Sequence, residues 1–189
     1  MTVKRPVSAS LAWAFFSMIV LSVLISAIAL VTLASSQRDA EAINIAGSLR
    51  MQSYRLGYEM QRASPSLAEH RAVWQKTLSA PALQKLNRWY VPEDVKQRYQ
   101  QLQLGWQEMD TRIASGDTGW YQSHIEDFVG RIDAFVLALQ HYTEHKIQLV
   151  IFMSLTGGLG ILLLAVMTLR RIRRQVVLPL NNLVAASER

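Results

Sequence analysis

The run Asn44-Ile45-Ala46-Gly47-Ser48-Leu49-Arg50-Met51-Gln52-Ser53-Tyr54-Arg55-Leu56 holds the residue with the most specific chemistry, Arg50. Gly47 lies one helical turn before it and Tyr54 one turn after. A guanidinium group offers a planar fork of N–H donors that suits a flat, delocalised oxyanion. Glycine leaves room beside it. Facing its own symmetry mate across a twofold axis at about 7 Å, Arg50 is repelled by roughly 2–3 kcal/mol at an effective dielectric near 20. A small planar anion between the two forks removes that repulsion, and fits better than a bulky dicarboxylate. The ordinary alternative is a solvated arginine, or one paired with Asp39, Glu41 or Glu59, which are near in sequence. Arg55 sits about 140° further round the helix, so it is a supporting or surface charge.

Other chemistry is scarce. The chain has no cysteine, which excludes disulfides, zinc thiolates and thiol nucleophiles. His141-Tyr142-Thr143-Glu144-His145 matches H-x-x-E-H, an inverted zincin pattern. That pattern needs a catalytic domain and a further ligand, and here it abuts an apolar run. It is read as interfacial polar residues, and no metal site is expected. No phosphate loop, nucleophile triad or paired-carboxylate site is present, so this stretch is not read as an enzyme.

These residues need a scaffold, and composition defines it. Of the 189 residues half are hydrophobic and only 18% are charged, against roughly 25% charged in soluble domains. The net charge of +6 sits at the two ends: Lys4 and Arg5 at one, Arg170, Arg171, Arg173, Arg174 and Arg189 at the other, less Glu188. Between Arg38 and Lys146 thirteen cations balance thirteen anions. A nucleic-acid partner, which needs a basic face on the folded part, is therefore not expected.

Leu11 to Ala34 is a 24-residue apolar run, and Ile147 to Leu169 is an uncharged run of 23. Each is long enough to cross a bilayer. The first is too long for a cleavable signal core. Cations flank both on the terminal side, so the positive-inside rule places both termini in the cytoplasm and residues 35–146 outside. The expected organisation is a cytoplasmic N-terminus (1–10), a first span (11–34), an outer domain (35–146), a second span (147–169) and a cytoplasmic segment (170–189).

The outer domain has helical period throughout. A first helix continues from the membrane to about Gln61. Ser66-Leu67-Ala68-Glu69 has the capping-box pattern and opens a second helix to Leu78. A short turn over Ala82–Asn87 follows. A third helix carries Val95, Tyr99, Leu102, Trp106, Met109 and Ile113, and Gly116 stops it. The fourth carries Tyr121, Ile125, Phe128, Ile132, Phe135, Leu139 and Tyr142 and enters the second span unbroken. Stripes in steps of four and three are bundle cores. The fold class is all-α: a membrane-anchored four-helix bundle whose first and last helices continue as transmembrane helices.

The first helix has two stripes. Ile45, Leu49, Leu56 and Met60 form the expected core face. Ile43, Gly47, Arg50, Tyr54, Gly57 and Gln61 form a second seam, which continues backwards through Ala40, Ser36, Leu33, Ala29, Ser26 and Ser22. Small residues let membrane helices approach closely. A second seam suggests the same helix of another protomer, hence a homodimer.

Asn44 to Leu56 resembles the periplasmic P-box of the nitrate/nitrite sensor histidine kinases, the NarX/NarQ family. Asp39 to Tyr58, Trp89-Tyr90-Val91-Pro92 and Phe135 to Tyr142 are nearer its NarQ branch. The resemblance covers the whole chain. It implies nitrate or nitrite bound between the paired first helices by Arg50 of each protomer, with Gly47, Ser48 and Tyr54 shaping the slot and Arg55 and Ser53 in secondary positions. It implies a two-pass protein of the bacterial inner membrane with a periplasmic sensor domain. Val177 to Ser187 is similar to the opening helix of a HAMP linker, with Pro179 in signal transmission. ATP and magnesium, and the response regulator that the kinase serves, belong to a module not found in these 189 residues. No cofactor is expected here. A chemoreceptor-type bundle for another small anion is the alternative.

Overall fold

The structure is a computed structural model that describes residues 7–174. Lys4, Arg5 and the HAMP-like stretch with Pro179 lie outside the described residues. Among the described residues every regular element is helical: α1 (Val7–Gln61), α2 (Leu67–Leu78), α3 (Pro81–Gln84), a 3₁₀ turn (Lys85–Asn87), α4 (Glu93–Ser115) and α5 (Thr118–Ile172). The expected all-α architecture, with long first and last helices, is the one observed. The chain divides into two compact units, Met1–Leu33 with Gln148–Arg189, and Ala34–Ile147.

In the apolar unit, α1 and α5 are long and apolar enough to cross a membrane. Glycine lets them approach: a Cβ at Gly157 would collide with the Ile25 side chain, and one at Gly160 would lie 3.8 Å from Leu21. Ser22, Ser26 and Leu33 of the second seam remain exposed.

In the polar unit, α1, α2, α4 and α5 enclose one core. All six expected α4 positions are buried, and in α5 Tyr121, Phe128, Ile132, Phe135 and Leu139 are buried with Ile125 and Tyr142 partly so. Trp74 of α2 stacks on Trp106 of α4 at 3.6 Å between centroids, with Phe128 of α5 tilted against both. Arg71 donates to both carboxylate oxygens of Asp110 from one guanidinium edge, through Nε and through Nη2 at 2.8 Å, and ties α2 to α4. Gly116 ends α4 with φ +72, a left-handed conformation that favours glycine.

One local expectation is corrected. Ser66 does not form the capping box. It is already helical, at φ −81 and ψ −4 with no side-chain cap, and its hydroxyl pairs with that of Ser64 at 2.8 Å. The core stripe of α1 follows the expected one at Leu49, Leu56 and Met60 and is widened by small residues. Ala42, Ala46, Leu49, Ser53, Leu56 and Met60 are buried, while Ile45 is half-buried. Small residues bring α1 close to its neighbours, and the polar Ser53 is satisfied there. Its hydroxyl donates to the Leu49 carbonyl at 2.8 Å and accepts Trp74 Nε1 at 3.0 Å.

Tyr121 closes this layer by donating to the Ser53 carbonyl at 2.9 Å. Burial pushes its phenol far above the usual tyrosine range, and burial raises Tyr99 and Tyr142 as well. Unfolded tyrosines lose their protons near pH 10, while these stay protonated in the bundle. The unfolded state then holds fewer protons, so stability should fall as pH rises above about 10. Tyr121→Phe should flatten that alkaline limb and cost about 1 kcal/mol at neutral pH, read by thermal unfolding across a pH series.

Candidate functional site

The helix period that buries Leu49, Ser53 and Leu56 must turn Arg50, Met51, Tyr54 and Tyr58 outward. Met51 is 68% exposed, Tyr54 48% and Tyr58 53%. Arg62 lies over the Tyr58 ring at 4.6 Å. A large apolar and aromatic stripe with arginine in it, on a helix that already has a core face, is an unpartnered surface of the kind that marks an interface.

Arg50 is the centre of this stripe, and its partner is not one of the acids near it in sequence. Its Nε lies 3.0 Å from Asp133 Oδ1 on α5, with both side chains about half exposed. A contact through Nε leaves the terminal nitrogens for another acceptor. An exposed pair of this kind contributes about 0–1 kcal/mol, so it orients the guanidinium without locking it. A carboxylate of α5 thus already offsets part of the guanidinium charge.

The other expected residues divide. Gly47 has open space: an added Cβ would meet nothing within 4 Å. Tyr54 shares the exposed face. Ser48 is half-buried, and its hydroxyl donates to the Ile45 carbonyl at 2.7 Å and accepts Gln52 Nε2 at 3.2 Å. Arg55 pairs with Glu59 at 3.2 Å one turn away. Ser53 lies in the core, turned from Arg50 by the same period. Gly57 also leaves the seam, since its Cα faces Tyr121, with an added Cβ 3.1 Å from that ring.

Sequence reasoning missed Asp133, Met51 and Tyr58. Met51 and Tyr58 are seven apart on one face, a signal that was available. Asp133 carried no signal, because its pairing depends on how α5 sits against α1. His141 and Glu144 of the zincin-like pattern lie 3.6 Å apart on an exposed surface, and no group of three or more acidic or histidine residues able to hold a metal occurs among the described residues.

Comparisons with known proteins cover both units. The chain is 62% identical over all 189 residues to the nitrate/nitrite sensor protein NarQ of Escherichia coli (strain K12). It is 35% identical over 188 residues to the sensor protein NarQ homolog of Haemophilus influenzae (strain ATCC 51907 / DSM 11121 / KW20 / Rd). The chain spans about a third of the length of these curated relatives (33% of each). The family model for the N-terminal part of type IV pili methyl-accepting chemotaxis transducers, PilJ, matches residues 31–128, just over half of the chain. With a match of that extent across α1, α2, α4 and the start of α5, the chain belongs to the family of these transducer N-terminal sensor domains, and within it resembles the nitrate/nitrite sensors along its whole length.

Proposed function

We propose that this chain is the sensing and membrane-crossing part of a two-component nitrate/nitrite sensor of the bacterial inner membrane. It works as a homodimer, with the bundle in the periplasm and both termini in the cytoplasm. One anion lies between the exposed faces of the two α1 helices and is held by Arg50 of both protomers. The observation that carries this is Arg50 itself: a half-exposed guanidinium whose terminal nitrogens make no hydrogen bond among the described residues, beside the open Gly47 and on the stripe of Met51, Tyr54 and Tyr58. The 62% identity to a protein described as a nitrate/nitrite sensor supports the choice of anion.

In the unliganded dimer each Arg50 is balanced by its own Asp133. An anion entering the slot bonds the terminal nitrogens of both arginines and draws the two α1 helices into one geometry. Because Asp133 belongs to α5, any change in the Arg50 fork alters a contact between α1 and α5. Both helices continue into the apolar unit, so a sub-ångström change there can be passed on as a piston-like or scissoring shift. The anion shifts this balance only by its differential affinity for the two arrangements. Gly47, the Ser48 backbone and Tyr54 shape the slot. Pro179 and the HAMP-like segment relay the shift to a histidine-kinase module that uses ATP and magnesium and serves a response regulator.

Thermal unfolding of the detergent-solubilised chain tests this. Nitrate and nitrite should raise the midpoint saturably at fixed ionic strength, chloride should not, and Arg50→Ala should abolish the rise. Equal shifts in both proteins would return Arg50 to the ordinary surface.

The chemotaxis-transducer family match favours a second reading, a chemoreceptor with a methylated coiled coil downstream. It shares the anion site and differs only in output. The coding sequence after residue 189 distinguishes the two.

A further inference from the structure

At the end of the bundle where α1 enters and α5 leaves, a second cluster stands apart from the Arg50 face. Lys146 donates to Asp39 Oδ2 at 2.6 Å and to Ser35 at 2.8 Å, and its ammonium lies 4.7 Å from the centre of the Tyr142 ring. The segment after α2 folds onto this clamp. Lys85, Arg88 and Tyr90 line a cavity of about 170 Å³ together with Ser35, Arg38 and Lys146. At roughly 30 Å³ per water, that space takes a phosphate-sized group and some of its hydration.

Charge at the cavity is unbalanced. Lys146 and Asp39 neutralise each other. Of the remaining lining residues, Arg38, Lys85 and Arg88 are cationic and only Glu41 is anionic. Among the described residues none of these four takes part in an ion pair, and Arg88 reaches only the Tyr90 hydroxyl at 3.4 Å. Beside them Trp89 is 91% exposed, more than any other large hydrophobic side chain described, and Tyr90 stands edge-on to it at 5.9 Å. Leaving an indole in water forgoes its burial, and nothing in the bundle requires it there. Tryptophan, tyrosine and basic residues together are what a bilayer surface collects. Ser35 and Lys146 lie at the two ends of the polar unit, next in sequence to the apolar segments, so the cluster is where the chain passes into lipid.

We propose that Arg38, Lys85 and Arg88 bind the phosphodiester of an anionic phospholipid, with Trp89 seated at headgroup level. A net positive cavity prefers a headgroup whose phosphate is not cancelled by an ammonium, so phosphatidylglycerol should be favoured over phosphatidylcholine. The site is independent of the Arg50 slot and needs no nitrate.

Native mass spectrometry of the full chain released from mixed phosphatidylglycerol and phosphatidylcholine nanodiscs reads the site directly. Wild type should retain phosphatidylglycerol in preference. Lys85→Gln with Arg88→Gln should lower that retention roughly thirtyfold, given what each cation contributes at an anionic surface. Lys76→Gln, an exposed cation of α2 away from the cavity, should change nothing. Equal retention by the double variant and wild type, or no preference between the lipids, would overturn the proposal. Displacement of the lipid by millimolar inorganic phosphate would also overturn it, by showing a free-phosphate site. A second measurement does not depend on the double variant folding. Headgroup-proximal brominated lipids should quench wild-type fluorescence more than that of Trp89→Phe, and equal quenching would place the indole outside the bilayer and refute its role.

Discussion

Trp74→Ala should destabilise the bundle by about 3–5 kcal/mol, the cost of truncating a large buried aromatic. Trp74 is fully buried, stacks on Trp106 at 3.6 Å, and touches Phe128. Its indole N–H also serves the Ser53 hydroxyl at 3.0 Å and the Leu49 carbonyl at 3.3 Å. Alanine therefore leaves a cavity among three helices and removes the donor to the Ser53 hydroxyl, which keeps only its own bond to the Leu49 carbonyl. Trp74→Phe refills most of the volume but not the N–H, so it should recover more than half of the loss. Thermal unfolding of the three proteins in detergent measures both effects. A loss under 1 kcal/mol for Trp74→Ala would mean that α2 is not packed as described.

The second large effect falls on Arg50. Hydrogen bonds to charged groups contribute about 1.5–3 kcal/mol each when they are lost. In a twofold dimer every substitution acts twice. Arg50→Ala should therefore weaken nitrate binding by at least about a hundredfold, taking 1.4 kcal/mol per factor of ten. Arg50→Lys keeps the charge and loses the planar fork, so it should fall between the two proteins. Both substitutions act on a half-exposed side chain whose only ion pair among the described residues is with Asp133. Neither should lower the stability of the anion-free bundle by more than about 1 kcal/mol. That contrast with Trp74 separates a ligand residue from a packing residue. A lysine variant that binds nitrate as tightly as wild type would show that charge alone, without fork geometry, makes the site.

Much of this was legible before any coordinates. The stripe from Val95 to Ile113 is large, apolar and regular, and all of it is buried. Pro81 and Gly116 punctuate the chain where a ring-fixed φ and a left-handed residue require them. The α1 face was harder. Its core is built partly from Ala42, Ala46 and Ser53, whose low hydrophobicity hides them from a periodicity reading, while the more apolar Ile45 sits at the margin. Gly57 appeared to extend the outer seam, yet it faces Tyr121, because a glycine gives no sign of which neighbour needs its space. The capping box failed for a similar reason: Ser64 and Ser66 satisfy each other, and four-residue patterns do not register competing hydroxyls.

The candidate site divides along the same line. Arg50, Gly47 and Tyr54 were identified from residue type and spacing, and the helix places them on or beside one open face. Asp133 was not, although it changes the electrostatics most. It lies 83 positions along the chain from Arg50, and only the packing of α5 on α1 brings them to 3.0 Å. The consequence for mechanism is specific. In the proposed mechanism the anion does not neutralise two bare arginines; it joins two arginines that are each already paired with a carboxylate of the last helix.

Titration calorimetry of nitrate into the purified chain in nanodiscs, with the number of chains per disc counted, tests that central claim most directly. One anion shared by two Arg50 side chains predicts saturation at one nitrate per two chains, with no heat of binding in Arg50→Ala. Saturation at one nitrate per chain, or unchanged binding by Arg50→Ala, would contradict a slot between paired α1 helices.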